Sequence, residues 1–336
     1  MIKFENVSLK SLNTFGFDIL ATELIEIHSE QDIIELYQNG QFNQPYKTIG
    51  GGSNLLLTEN LSQLVLLNKL LKKELVSETE TTVTVHFGAG ENWHDAVMYC
   101  VNNGWGGIEN LSLIPGSVGA APIQNIGAYG VEIKDTFESL RAFNTKTGQF
   151  RRFSNEECQF GYRDSYFKQY PGEWIICYVA FTLSKNPKIN SSYGDIQQIL
   201  TEREITSPKI KDISDAVIAI RSSKLPDPKD IGNSGSFFKN PVISKSQLSD
   251  IQQEYPNIKS FSINETQVKI AAGWLIETAG WKGYKEGNVG VHKNQALVLV
   301  HYGGGKGSEI KTLAEKIQRD IYNKFQIHLE FEVNIW

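Results

Sequence analysis

A short loop in the second half of the chain groups side chains that could carry chemistry. Ser236, Lys239 and Asn240 lie close together and flank an aromatic pair, Phe237 and Phe238. Turn chemistry accounts for the glycine, asparagine and proline residues around them, but it accounts less well for two adjacent phenylalanines. We therefore treat this loop as a candidate functional segment.

Three further side chains could act on negative charge or on protons. Tyr162 and Arg163 place a phenol and a cation among aromatic residues, which would suit a developing anion. The alternative, which composition favours, is a packed helix end in which Arg163 pairs with Asp164. Glu332 lies on the polar side of the alternating segment 327–335. A solvated carboxylate is the alternative there, and spacing alone does not decide.

Residues 50–54, Gly-Gly-Gly-Ser-Asn, form a glycine turn between two strand-like segments. Such a turn can present a nest of backbone N–H groups that would hold a pair of phosphates. The spacing matches neither GxGxxG nor GxxxxGK[ST], which disfavours a Rossmann or P-loop assignment. An elaborate hairpin is the alternative.

The chain is organised around residues 110–130, which are too apolar for a surface loop and too rich in glycine and proline for a helix. A buried irregular backbone must still satisfy its N–H and C=O groups, and a large polar ligand lying along it would do so. A tight crossover between domains with internal hydrogen bonds is the alternative.

Composition limits the class of protein. The 336 residues carry a net charge of −5, so no general basic field points to nucleic acid or membrane. The N-terminus lacks a secretion signal, and no apolar run approaches the ~20 residues of a membrane span. Three scattered cysteines predict a reducing, cytoplasmic compartment, and the histidines show no metal-ligand spacing, so we expect no metal.

Hydrophobic periodicity predicts the elements that position these segments. Helices are expected over residues 32–38, 93–103, 215–223 and 268–279, with a long one from 308 onward. Ser214 should cap the third of these after a linker at 208–212. Residues 303–307 resemble a phosphate loop, but Lys306 is followed by glycine rather than by Ser or Thr, which favours a strand-to-helix turn.

Taken together, the motifs are specific where each alone is not. They resemble the UDP-N-acetylenolpyruvoylglucosamine reductase family in order from near residue 15 to the C-terminus. The matching segments are residues 50–54, 114–119 (Ile-Pro-Gly-Ser-Val-Gly), 122–130, 161–165 (Gly-Tyr-Arg-Asp-Ser), 224–228 (Lys-Leu-Pro-Asp-Pro), 235–241 (Gly-Ser-Phe-Phe-Lys-Asn-Pro) and 269–275. The polar loop at 190–195, with Tyr193 at its tip, is similar to the type I form of that family.

The resemblance implies an α+β fold. An FAD-binding domain of the vanillyl-alcohol-oxidase (PCMH) type would comprise two lobes, residues 1–70 and 71–210, the second joined by a C-terminal strand at 326–336. A smaller α/β substrate-binding domain would span residues 215–318. The two glycine segments that we interpret as ligand cradles fall within the FAD-binding part.

The resemblance also implies an activity. The family reduces UDP-N-acetylglucosamine enolpyruvate to UDP-N-acetylmuramate with NADPH, through FAD, in peptidoglycan precursor synthesis. Arg163 matches the cation that stabilises the enolate, Glu332 its acidic partner and Ser236 the proton donor. Serine is a poor acid in water, so its neighbours must assist, and we infer that Lys224 could do so. The expected protein is a cytoplasmic monomer whose partners are the sugar nucleotide and NADPH.

The remaining site residues follow from the same motifs. Cofactor contacts are expected from Gly50, Gly51, Gly52, Ser53, Asn54, Ile114, Pro115, Gly116, Ser117, Gly119, Ala120, Gln124, Asn125, Gly127 and Arg221. Substrate contacts are expected from Tyr129, Tyr162, Tyr193, Lys224, Asn240, Lys269 and Gln295.

Two residues depart from the family pattern. Phe261 stands where relatives often have tyrosine, which removes a hydroxyl contact, and Phe331 replaces a frequent proline beside Glu332. Two other functions compete with the reductase: an FAD oxidoreductase acting on an unrelated alcohol or sugar, and a flavin- or nucleotide-binding module without turnover. The Ser236 loop and Tyr193 disfavour the first, and the intact set of Arg163, Ser236 and Glu332 disfavours the second.

Overall fold

The computed structural model describes residues 1–336, and the chain divides into two compact units. The first comprises Met1–Val7, Leu20–Gly52 and Leu61–Ser223, and the second comprises Ser8–Ile19, Ser53–Asn60 and Lys224–Trp336. The strands are β1 Ile2–Ser8, β2 Leu20–Ile27, β3 Tyr46–Ile49, β4 Leu55–Leu56, β5 Leu61–Asn68, β6 Lys73–Glu78, β7 Thr82–Gly88, β8 Gly127–Ala128, β9 Val131–Glu132, β10 Phe137–Asn144, β11 Gln149–Ser154, β12 Trp174–Ser184, β13 Gly232–Ser236, β14 Val242–Ser244, β15 Ser260–Ser262, β16 Gln267–Ile270, β17 Lys285–Glu286, β18 Val289–Val291, β19 Val298–His301 and β20 Asn334–Ile335. The helices are α1 Glu30–Gln38, α2 Trp93–Asn102, α3 Tyr166–Gln169, α4 Gly194–Glu202, α5 Ile210–Lys224, α6 Lys245–Glu254, α7 Ala272–Thr278 and α8 Gly307–Phe325.

The first unit contains two sheets. A four-stranded sheet has the order β1-β2-β5-β3, with β2, β5 and β3 parallel, and a five-stranded antiparallel sheet has the order β11-β10-β12-β7-β6. Helix α1 begins at a capping box formed by Ser29 and Asp32 and buries Ile33 and Leu36. Helix α2 buries the predicted stripe, which includes Trp93 and Val97, in the core beneath the five-stranded sheet.

The second unit is built on the antiparallel sheet β13-β19-β18-β17, with a smaller sheet of order β14-β16-β15. Helix α8 buries a stripe that includes Ile310, Leu313 and Ile317 in the same core as Leu299 of β19. The predicted strand-to-helix turn at 303–307 is confirmed, because β19 ends at His301 and α8 begins at Gly307. Its last residue must be glycine, since a Cβ there would collide with the carbonyl oxygen of Leu57.

Three local predictions are wrong. Residues 268–279 are not one helix: they form β16 and then α7, because Val268 and Ile270 alternate with half-exposed Lys269 at the period of a strand. The predicted linker at 208–212 overlaps the first residues of a helix, and Ser214 does not cap that helix. Helix α5 begins at Ile210, and Ser214 is buried within it.

The last predicted strand is only partly regular. The alternation of buried and exposed residues along 327–335 holds, but only β20 belongs to a ladder, where it pairs in parallel with β4. Phe331 makes an isolated bridge to Phe238. The alternation therefore predicted burial correctly and overestimated the hydrogen-bonded strand.

Candidate active site

The two predicted glycine segments contact each other within the first unit. A Cβ on Gly51 would stand 2.8 Å from the Cα of Gly116 and 3.4 Å from the amide nitrogen of Ser117, and a Cβ on Gly50 would collide with the Ser117 hydroxyl. Only glycine permits two backbones to approach this closely. The segments 50–52 and 116–117, which we call the glycine cradle, thus form one feature rather than two separate turns.

The second glycine segment is anchored from behind by backbone hydrogen bonds. The amides of Val118 and Gly119 donate to the carbonyls of Glu91 and Ala89 at 2.9 Å each, and the amide of Trp93 donates to Gly116 O at 3.0 Å. This pattern leaves the amide of Ser117 directed away from the 91–93 segment, as in any non-hydrogen-bonded bridge pair. Closely packed glycine backbone of this kind can present amides to a diphosphate, so the cradle fits the FAD that the family resemblance implies.

Leu113 precedes the second glycine segment, and both its amide and its carbonyl are held by side chains. Leu113 has a left-handed backbone with φ of 58°. Its amide donates to His94 Nδ1 at 3.0 Å, and its carbonyl accepts from Arg221 Nε at 3.2 Å. Burial lowers the pKa of His94, which keeps Nδ1 free to accept. His94 therefore positions the segment that begins at Ile114, a role that no sequence motif indicated.

Arg221 and Tyr129 form a half-buried pair in the first unit. Burial is the main cause that lowers the pKa of Arg221, and a hydrogen bond to the Tyr129 side chain opposes it. Burial likewise raises the pKa of Tyr129. The groups facing Arg221 include the neutral carbonyl of Leu113 and a second cation, Arg163. A half-buried cation with such neighbours suits an anionic ligand.

Arg163 is held by the glycine-rich loop that the sequence marked for cofactor contacts. Its backbone has φ of 54°, and its Nη2 donates to the carbonyl of Gly127 at 2.9 Å. The guanidinium lies 5.6 Å from the ring centre of Tyr162, which is exposed. The Asp164 carboxylate accepts from the Ser165 amide at 2.9 Å and from Gln169 at 3.4 Å, at the start of α3.

Tyr193 lies at the N-terminal end of α4, where the predicted exposed loop ends. Its side chain is 44% exposed, and its ring packs edge-on against Tyr129 with centroids 5.2 Å apart. The first unit thus brings together Tyr129, Tyr193, Arg221 and Arg163 around the 127–130 loop.

Some expected cofactor contacts have other partners. The Asn125 side chain is fully buried and donates to Glu132 and to Gly161 O, at 3.0 Å each, so it ties the 122–126 turn to the Arg163 segment. Gly119 packs its backbone on Ala89. Pro115 and Ala120 are exposed, and Ile114, Gln124 and Gly52 are half-buried.

In the second unit, Ser236 and Glu332 lie on neighbouring antiparallel segments. The amide of Glu332 donates to the carbonyl of Phe237 at 2.9 Å, and the amide of Lys239 donates to Glu330 O at 2.9 Å. Phe238 pairs with Phe331 between them. The aromatic pair that turn chemistry left unexplained is fully buried and packs on Phe331, so it fixes this register.

The register also separates the two candidate carboxylates. Glu330 is exposed and forms a 2.8 Å ion pair with Lys239, whereas Glu332 is half-buried. Asn54 supports Glu332 directly, because its side-chain amide donates to Glu332 O at 3.0 Å. Glu330 and Glu332 therefore differ in exposure and in backbone support, and which of them is the functional acid stays a prediction.

Three expected substrate contacts surround the start of α7. Asn240 Oδ1 accepts from the amide of Ala272 at 2.9 Å. The Gln295 side chain lies beside Gly273, and Lys269 lies on β16 opposite Phe261. Phe261 is 53% exposed, so the position that departs from the family pattern is next to a predicted substrate contact. Lys224, at the end of α5, is exposed, and Ser53 is half-buried.

Other kinds of site are less well supported. No group of three or more His, Cys, Asp or Glu side chains is arranged to hold a metal ion. No helix combines the length and apolar character needed to cross a bilayer. Cys100, Cys158 and Cys177 are buried and free, and burial raises the pKa of the Cys100 thiol to about 12, which makes that thiol a poor nucleophile.

Comparison with known proteins first defines the class. A family model described as an FAD-binding domain matches residues 22–154, and one described as the C-terminal domain of UDP-N-acetylenolpyruvoylglucosamine reductase matches residues 227–336. With the glycine cradle in the first unit, these matches define an FAD-dependent oxidoreductase. The expected FAD cofactor and the two-part α+β fold are confirmed.

Full-length relatives then define the family. UDP-N-acetylenolpyruvoylglucosamine reductase of Flavobacterium johnsoniae is 49% identical over 98% of both chains. The Pseudomonas aeruginosa reductase of the same name is 46% identical over 99% of this chain and 98% of its own. The chain belongs to the UDP-N-acetylenolpyruvoylglucosamine reductase family. A crystal structure of that reductase from Thermus caldophilus has the same fold, with a TM-score of 0.71 at 23% identity over 100% of this chain and 98% of that chain.

Proposed function

We propose that this chain reduces UDP-N-acetylglucosamine enolpyruvate to UDP-N-acetylmuramate with NADPH, as a step of peptidoglycan precursor synthesis. FAD, when bound at the glycine cradle, supplies the hydride exchange between the two substrates. The observation that carries the proposal is the register of the second unit, which brings Ser236 and the half-buried Glu332 onto adjacent segments. A hydroxyl and a carboxylate held there fit a proton delivery that follows hydride transfer.

The three catalytic residues would share the work on the enolate. Arg163, held by Gly127 O, would stabilise the negative charge that develops on the substrate carboxylate and enolate oxygen. Ser236 would donate the proton to the carbon beside the carboxylate. Glu332 would act as the acidic partner. Lys224 would assist Ser236, because a serine hydroxyl needs a neighbour that stabilises its alkoxide or relays the proton.

The other site residues would bind the two ligands. Residues that would hold FAD directly or fix the backbone that does are Gly50 to Asn54, Ile114 to Ser117, Gly119, Ala120, Gln124, Asn125, Gly127 and Arg221. Tyr129, Tyr162 and Tyr193 would contact the sugar nucleotide, as would Lys224, Asn240, Lys269 and Gln295. Asn240, Lys269 and Gln295 lie around the start of α7, which supports a shared role for them.

We also propose a cytoplasmic location, since three buried free thiols suit a reducing compartment, and we propose that the protein is a monomer. Light scattering on purified protein would test the monomer. The predicted domain bounds of 1–70, 71–210 with 326–336, and 215–318 stay a prediction that limited proteolysis would test.

The Ser236→Ala variant tests the assignment because serine is required only after hydride transfer. In stopped-flow absorbance we expect NADPH to reduce the flavin at the wild-type rate. Reoxidation by the enolpyruvyl sugar nucleotide should slow by about 10²–10⁴-fold. Ser234→Ala is the matched control: it lies on the same strand, is buried, and its hydroxyl has no hydrogen-bond partner. Equal loss of both half-reactions in Ser236→Ala would refute the role.

A further inference from the structure

One buried side chain joins the two loops that carry Tyr129 and Tyr193. Asn110 is 1% exposed and lies in the short 3₁₀ turn Glu109–Leu111. Its Nδ2 donates to the carbonyl of Tyr129 at 3.3 Å and to the carbonyl of Asn190 at 3.0 Å. The two N–H groups of a single amide are thus divided between segments 19 and 80 residues away in the chain.

The side chain of Asn190 makes a second tie between the same loops. Its Nδ2 donates to the carbonyl of Gly130 at 3.4 Å. Its Oδ1 accepts from the amide and the hydroxyl of Ser192, at 3.3 Å and 2.8 Å, and so shapes the backbone that leads to Tyr193. The edge-on contact of Tyr193 with Tyr129 lies at the end of this arrangement.

The 127–130 loop needs such support because its backbone is unusual. Tyr129 has φ of 50° and Gly130 has φ of 77°, and a left-handed tyrosine persists only where its surroundings hold it. The carbonyl of Tyr129 accepts one of the two hydrogen bonds that the Asn110 side chain donates. The same amide therefore stabilises a strained turn and fixes the position of the neighbouring loop.

We propose that Asn110, together with Asn190, is a latch that holds the loop of residues 185–193 against the 127–130 turn and so places Tyr193 for substrate. Asn110 is a positioning residue, since it acts through Tyr129 and Tyr193. The latch rests on the proposed function in one respect: Tyr193 must contact the sugar nucleotide. With the latch intact, the loop is already ordered when substrate arrives, and binding does not bear that ordering cost.

Asn110→Asp is the sharpest variant because it keeps the shape of the side chain and removes both donors. Asn110→Ala removes the whole group without adding a charge. We expect the KM for the enolpyruvyl sugar nucleotide to rise roughly tenfold in each, because each lost hydrogen bond is modest and two are lost. The rate of flavin reduction at saturating NADPH should not change. Amide hydrogen exchange at residues 190–193 should become faster.

Two further variants separate positioning from folding. Asn190→Ala changes a half-buried loop side chain, so it should fold normally, with a smaller rise in KM and faster exchange at 192–193. Asn144→Ala is the matched control. Asn144 is 5% exposed and joins Glu173 to the amides of Lys146 and Thr147, so its loss should lower the melting temperature and leave both KM and exchange at 190–193 unchanged.

The outcomes distinguish the latch from the proposed reaction. Unchanged exchange at 190–193 in the Asn110 and Asn190 variants would overturn the latch. So would an unchanged KM, or an equal loss in flavin reduction and substrate turnover. The proposed reaction would instead be refuted if NADPH reduced the flavin of the wild-type enzyme but the enolpyruvyl sugar nucleotide never reoxidised it. The exchange data would still decide whether the latch exists.

Discussion

Gly51→Ala should separate the two glycine segments of the cradle. The new Cβ would stand 2.8 Å from Gly116 Cα and 3.0 Å from Gly116 C. Both are backbone atoms, and Gly116 is itself anchored by the 3.0 Å bond from Trp93 N. To restore ordinary 3.4 Å contact the segments must part by about 0.6 Å. Overpacking of this kind costs about 1–3 kcal/mol. If the cost appears in cofactor binding, FAD affinity falls about 5- to 150-fold.

The assay is FAD titration by absorbance at the visible flavin band, with thermal unfolding of the cofactor-free and loaded protein. Gly194→Ala is the control, because a Cβ there meets nothing within 4 Å and the backbone is not left-handed. We expect weaker FAD binding for Gly51→Ala and wild-type FAD binding for Gly194→Ala. A Gly51→Ala protein that matches wild type in both FAD affinity and melting temperature would show that the two segments do not form one cradle.

Two further predictions concern the Tyr193 hydroxyl and the pH dependence of stability. Tyr193→Phe keeps the edge-on ring contact with Tyr129 and removes only the hydroxyl, so the substrate KM should rise while flavin reduction and melting temperature stay unchanged; an unchanged KM would contradict the substrate role. For His94, burial places the folded pKa below the ordinary 6.5. The unfolded chain then binds more protons as pH falls below about 6.5, and stability falls until pH passes the folded pKa. His94→Asn retains an acceptor for the Leu113 amide and removes the titration, so urea unfolding at pH 7.5 and 5.5 should show a smaller pH effect; an identical difference would refute the assignment.

Local sequence chemistry identified the two glycine segments as unusual backbone, but it did not predict that they contact each other. The structure places 50–52 beside 116–117, where the lack of a Cβ lets the two segments approach closely. Helices with a clear apolar stripe, such as α2 and α8, were also predictable, since a 3.6-residue period is a local property. Secondary structure was harder to predict for short segments. Residues 268–279 contain enough alanine and leucine for a helix, but the first three belong to β16, which pairs with β14 and β15.

The side chains that sequence reasoning missed are those whose partners are distant in the chain. Asn110 lies with Glu109 and Ser112 in a mostly apolar stretch, and polar residues buried there must have hydrogen-bond partners. Nothing local shows that these partners are the carbonyls of Tyr129 and Asn190. His94 is similar: its place on α2 is predictable, but its bond to the amide of Leu113 depends on how the helix packs.

Asn54 has partners in the structure that its place in the glycine turn does not predict. It ends the glycine turn, so the sequence places it among cofactor contacts. In the structure its side-chain amide donates to Glu332 O at 3.0 Å, and its carbonyl accepts from the amide and side chain of Asn334 at 3.1 Å each. These bonds fix the carbonyl of Glu332 and the backbone at Asn334, two residues further along the chain. Substitutions that remove the Asn54 side-chain amide should therefore disturb the backbone at Glu332 even where FAD binding is retained, because this bond lies wholly within the second unit.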